Sequence, residues 1–211
     1  MSFNANGEFP QARTARQRAR EAGRAERVAR SFENLCFAPW DEPDGEDWYT
    51  RAHADIRAEY GFDADLFADL LAATSPQTDV RENVKLARLA LERHRKGEPQ
   101  EPWIPSHARN IERALRGEPL SGPKVRAFAA ALKGDVNAVV VDTWMLRAAG
   151  LGSPKRVQRP SSFRVTHLAI RLVAERQKLP AAVVQARVWL AYRKANWNAK
   201  KGAGDGYLPI K

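Results

Sequence analysis

Lys124 and Asp142 are the residues of this chain best suited to chemistry, and eighteen positions separate them. Lys124 follows the Gly-containing turn 118–123 (EPLSGP), between a short apolar pattern at Ile111, Ala114 and Leu115 and a longer one at Val125, Phe128, Ala129 and Leu132. Two helices joined this way form a helix-hairpin-helix candidate over residues 111–132. Such a turn, here with Ser121, Gly122 and Arg126, can offer backbone N–H groups and a helix N-terminus to a DNA phosphate. The Lys124 amine can contact phosphate in the same way, or attack an electrophilic carbon when unprotonated. Asp142 ends the apolar stretch 139–141 and reads as the N-cap of a helix running through Ala149. Its carboxylate either caps that helix alone or also stabilises positive charge in a reaction.

The elements that position these residues read as helices throughout. Trp48, Ala52 and Ile56 recur every four residues, and Gly61 stops that pattern. Leu66, Phe67, Leu70 and Leu71 mark a second helix, which must end near Thr74 because Ser75 precedes Pro76. Asp79 and Glu82 have capping-box spacing and open a third helix with Val84, Ala87 and Leu91 inward. Between these helices lies a short polar loop, 74–78 (TSPQT), that presents Gln77. Residues 41–47 (DEPDGED) read as an acidic loop and 97–106 as a Pro-rich connection. Leu168, Leu172 and Val173 mark a later helix, and the last begins at Pro180, a favoured first position, with Val184, Val188 and Ala191 inward. No alternating strand pattern of useful length occurs.

Composition narrows the function classes. The 211 residues suit one domain or one split into two helical lobes, and the net charge is +10. Residues 151–211 carry thirteen basic side chains against Glu175 and Asp205, whereas residues 41–150 are slightly acidic. Such asymmetry is the footprint of a polyanion binder. Lys155, Arg156 and Arg159 in the basic loop are candidate phosphate contacts, or a solvated rim. The single cysteine, Cys36, excludes an internal disulfide and a cysteine-ligated iron–sulfur cluster. Four scattered histidines lack zinc spacing. No apolar run is long enough for a membrane span, and the Arg-rich start lacks a signal-peptide core. Residues 1–40 read as a charged helix or an arm, 41–195 as the folded domain, and 196–211 as a basic tail.

Three segments resemble the helix-hairpin-helix DNA glycosylases, over about residues 48–192. Leu-Ser-Gly-Pro-Lys-Val-Arg (120–126) is similar to that family's Gly-x-Gly-x-Lys-Thr-Ala hairpin, with Leu120 at the first glycine. Val-Asp-Thr-Trp (141–144) is similar to its Val-Asp-Thr-His, with Trp144 at the histidine. Leu-Leu-Ala-Ala-Thr-Ser-Pro-Gln-Thr-Asp-Val (70–80) is similar to its Leu-Leu-Ser-x-Gln-x-Thr-Asp-Val region. The lysine-to-aspartate spacing matches the endonuclease III-like branch, without its cluster cysteines. Closer still are small phage-encoded members that share a Trp-Tyr helix (here Trp48, Tyr49), a Ser-Pro-Gln loop and a Gln-Ala-x-x-Trp helix (here Gln185, Ala186, Trp189). Related phage clades are held to process hypermodified thymines.

The resemblance implies an all-α, two-lobed fold with duplex DNA between the lobes and one base flipped out. One lobe would hold the middle helices and the other the N-terminal region with the C-terminal helices. It implies catalytic roles for Asp142 and Lys124, the latter through a Schiff base where strand cleavage follows. Gln77 is the candidate wedge in the DNA stack, or otherwise a helix cap. Trp48, Tyr49 and Trp144 are candidate walls of a base pocket, or otherwise core. The expected function is excision of a damaged or modified base. The alternatives are a phage base-hypermodification transferase and a non-catalytic DNA-binding protein. No metal or cofactor is expected. A monomer in the cytoplasm is expected, or in a bacterial host's cytoplasm or nucleoid if phage-encoded.

Overall fold

The computed structural model describes residues 14–36, 44–100, 103–152 and 159–196. Among these the chain is all-helical: α1 (Ala15–Cys36), α2 (Asp44–Tyr60), a 3₁₀ turn (Gly61–Asp63), α3 (Ala64–Ala73), α4 (Val80–Lys96), α5 (Pro105–Leu115), α6 (Pro123–Leu132), α7 (Thr143–Ala148), α8 (Pro160–Gln177) and α9 (Ala181–Asn196). Helix α2 begins at Asp44, four residues before the expected start at Trp48 and inside the 41–47 segment expected as an acidic loop. Among the described residues no helix is long and apolar enough to cross a membrane.

The chain divides into two compact units, and the division falls inside α2 between Trp48 and Tyr49. The first unit contains α1, α7, α8 and α9. Helix α1 lies along α8 and also meets α9, while α7 packs on α8 and α9. Its inward face is small, with Ala25, Val28, Ala29 and Phe32, and it closes a core with Met145, Leu146, Val165, Ile170, Val184 and Val188. Ion pairs fix the same helix: Arg164 grips Glu21 with Nε to Oε2 at 2.9 Å, and Arg176 reaches Glu26 and Glu33.

The second unit runs from Tyr49 to Asp135 and is built around α3. That helix buries Phe67, Leu70 and Leu71 with four alanines, so it is apolar on almost every face and must be surrounded. Helices α4, α5 and α6 surround it. Asp69, on α3, accepts from Lys133 Nζ at 2.6 Å; burial pushes its carboxyl above the ordinary 3.8, and Lys133 opposes that. Thr74 and Asn83, both buried, close the joint between α3 and α4. Thr74 Oγ1 lies 2.7 Å from Asn83 Oδ1, and Asn83 Nδ2 donates to the Leu71 carbonyl at 3.0 Å. A buried polar pair of this kind is stable only when its groups find partners.

Candidate functional site

Asp142, in the first unit, is held at both carboxylate oxygens. The buried residues Val139, Val140 and Val141 anchor the segment that delivers it. Its backbone is extended, and its Oδ1 accepts the Met145 N–H at 2.8 Å, which caps α7. The other oxygen, Oδ2, accepts the indole N–H of Trp189 at 2.9 Å. Both oxygens therefore face donors, which fixes the direction of the carboxylate.

Aromatic rings and guanidinium groups cluster around Trp189, which touches this carboxylate, and around Trp144. Trp48 lies 6.4 Å from Trp189, centroid to centroid, with the rings tilted by 56°. The Arg193 guanidinium stands 4.3 Å from the Trp189 ring and 5.8 Å from the Trp144 ring. Arg147 covers Trp144 at 5.0 Å, and Tyr192 meets Trp144 edge-on at 6.5 Å. Helices α7 and α9 thus set rings and positive charges next to an anion. Trp48 and Trp144 join this group. Tyr49 belongs to the second unit, where it lies edge-on to Phe128 at 6.5 Å.

The hairpin occupies the second unit. Helix α5 ends at Leu115, and just beyond it Gly117, with φ 67°, lets the Glu118 N–H return to the Arg113 carbonyl at 2.8 Å. Leu120 is buried and plugs the turn. Asn110 reads both sides of Ser121: its Oδ1 accepts the Ser121 N–H at 2.6 Å and its Nδ2 donates to the Ser121 carbonyl at 3.2 Å. Gly122 then turns the chain with φ 98°, and no side chain caps the N-terminus of α6. Arg126 folds back, its Nε donating to the Leu120 carbonyl. The Ser121 N–H and Arg126 Nε therefore already have partners inside the turn.

Lys124, in the first turn of α6, ties the hairpin to the 74–78 loop. Its Nζ donates to Ser75 Oγ at 2.6 Å and to the Ser75 carbonyl at 3.2 Å, and it lies 5.7 Å from the Phe128 ring centroid. The loop is pinned again by His107, whose Nε2 is 2.7 Å from the Pro76 carbonyl, and by Thr78 Oγ1 donating to the Thr74 carbonyl at 2.6 Å. At its tip Gln77 is exposed and left-handed, with φ 63°. A non-glycine residue in that region is strained, and such strain persists where the surroundings over-determine it, often at functional loops. Gln77 does not cap α4; Asp79 does, accepting the Glu82 N–H at 2.9 Å.

Arg159 is exposed at the N-cap of α8, and Lys155 and Arg156 lie outside the described residues. Four residues emerge that sequence reasoning gave no role: Trp189, Ser75, His107 and Asn110. The Gln-Ala-x-x-Trp pattern pointed at Trp189 without saying what it touches. Among the described residues no group of three or more His, Cys, Asp or Glu could hold a metal ion.

The family described as "Family of unknown function (DUF7178)" matches residues 11–196. No curated protein and no solved structure matches the chain.

Proposed function

The chain belongs to that family of unknown function, and we propose that it processes bases in DNA, with removal of a damaged or modified base as the leading reaction. The observation that carries this reading is the Asp142 carboxylate, fixed by Met145 and Trp189 beside Trp48, Trp144 and Arg193. Breaking an N-glycosidic bond develops positive charge on the sugar, and an oriented carboxylate stabilises it. Aromatic faces next to that carboxylate suit an unstacked base. Extruding a base costs a few kcal/mol, which a side chain filling the gap offsets in part; exposed Gln77 on its braced loop suits that part. The α5–α6 hairpin suits contact with phosphate through the start of α6, where no side chain makes a cap hydrogen bond.

A base-modifying transferase is the second reading, and the Lys124 contacts, which weigh against an imine and strand cleavage, fit it as well as they fit simple base removal. An amine already committed to Ser75 Oγ and the Ser75 carbonyl must leave both acceptors before it attacks a sugar carbon. Held there, Lys124 braces the hairpin and the Gln77 loop without forming an imine, and the glycosidic bond need not break.

The test is mass spectrometry of free bases and of nucleosides after incubation with varied DNA, for the wild type, Asp142→Asn and Lys124→Gln. Free base released by the wild type and lost in Asp142→Asn supports excision. A borohydride-trapped adduct that vanishes in Lys124→Gln adds strand cleavage. A mass change on an intact nucleoside transfers the assignment to the second reading. DNA binding with neither product, across unmodified and modified substrates, makes the protein a binder and sinks both enzymatic readings.

A further inference from the structure

Helix α1 has two opposed faces, and they divide its charges. Ala25, Val28, Ala29 and Phe32 face the core. Arg16, Arg20, Arg24, Arg27 and Arg30 recur at spacings of four, four, three and three residues, so they form one stripe on the side away from that core. Arg16, Arg20, Arg27 and Arg30 are exposed and Arg24 is half-buried. The acids of the helix lie off the stripe and are engaged by α8: Glu21 with Arg164, and Glu26 and Glu33 with Arg176. Glu26 also comes within 3.9 Å of Arg30, at the edge of the stripe.

We propose that this arginine ridge is a binding surface for the phosphate backbone of duplex DNA. Like charges three and four residues apart repel and destabilise a helix, so the stripe is not a device for helix stability. A surface serving solubility alone would carry both signs, whereas the acids here are drawn to the flank that meets α8. Residues 1–40 contain seven arginines and no lysine. Arginine presents a planar fork that matches phosphate oxygens in pairs. From Arg16 to Arg30 the ridge reaches about 21 Å at ~1.5 Å per residue, a length over which one DNA strand offers about six phosphates. An anionic membrane is the weaker match, because the apolar face that would enter a bilayer is buried in the unit's core. The ridge does not rest on the proposed reaction, since binding by this helix requires neither Asp142 nor Lys124.

The experiment compares full-length protein with the triple variant Arg16→Gln, Arg20→Gln, Arg27→Gln and with the matching triple lysine variant. Affinity for a labelled mixed-sequence duplex is measured across a salt series. All three chains should show the same circular dichroism, because the stripe faces away from the core, and the glutamine variant should melt no lower than the wild type, because like-charge repulsion is relieved. The glutamine variant should lose at least tenfold in affinity near 0.1 M salt, and its log–log salt slope should flatten by roughly 2 to 3. The lysine variant, with its charge intact, should keep most of the slope. Equal affinity and slope in wild type and glutamine variant would overturn the proposal. So would a ridge that is required for binding phosphatidylserine vesicles but not for binding the duplex.

Discussion

The Trp189 indole donates to Asp142 Oδ2 at 2.9 Å across 47 residues of sequence, while the Met145 N–H holds Oδ1 at 2.8 Å. The cap alone would orient one oxygen. The indole sets the second, and Trp189 itself packs against Trp48 and Arg193.

Trp189→Phe should keep the ring contacts and remove the donor. A hydrogen bond to a charged group contributes about 1.5–3 kcal/mol, so the chain should remain folded with a modest loss of stability. On any substrate whose turnover needs Asp142, the single-turnover rate should fall by roughly tenfold or more, about 1.4 kcal/mol or above, with little change in DNA affinity. Denaturant titration and rapid-quench kinetics check both parts. An unchanged rate would reduce Trp189 to packing.

Gln77→Gly should stabilise the protein and impair it. Gln77 has φ 63°, where a side chain costs roughly 1 kcal/mol that glycine avoids. The unfolded chain gains freedom with glycine and returns part of that, so the expected gain is a few tenths to ~1 kcal/mol in urea unfolding. If the exposed side chain fills a vacated stack, activity should fall on duplex DNA and hold on single strands. Destabilisation by the glycine would mean that the loop does not store strain at this position.

These two sites differ in how far the sequence disclosed them. The 3.6-residue patterns and their caps were legible: Asp79 with Glu82, the end of α3 at Thr74, and Asp142 at the start of α7 all rest on neighbours a few residues away. What joins distant segments was not. The sequence left residues 1–40 open between helix and arm, because α1 has a narrow apolar face diluted by arginines. The ion pair that docks it, Glu21 with Arg164, spans 143 residues. The left-handed backbone of Gln77 was equally hidden, since local preference would put Gly or Asn there. Its cause lies in three separate tethers, from His107, Lys124 and Thr78.

Asn110→Ala should loosen the hairpin more than its size suggests. Asn110 is 5% exposed and satisfies both the N–H and the carbonyl of Ser121. Removing it leaves two backbone groups to find water, at a cost of about 1–3 kcal/mol. Amide hydrogen exchange at Ser121 should accelerate strongly while α1 and α8 keep their protection. Uniform loss of protection across the chain would mean that the change unfolds the protein globally.

His167 should make the first unit sensitive to mild acid. Burial pushes its imidazole below the ordinary 6.5, and the nearby Arg171 charge pushes the same way. The unfolded chain therefore binds a proton at a higher pH than the folded chain does. In that window the proton favours unfolding, so stability must rise with pH and fall as pH drops. The loss begins below about 6.5, where the unfolded histidine titrates, and is complete once pH lies below the lowered value of the folded state. His167→Gln removes the titrating ring and keeps a polar side chain of comparable length. Urea midpoints between pH 5 and pH 7.5 should decline toward acid in the wild type and decline less in the variant. The difference between the two curves isolates His167 from the other three histidines and from the carboxylates, which titrate in both chains. Parallel curves would show that His167 is as well solvated in the folded state as in the unfolded one.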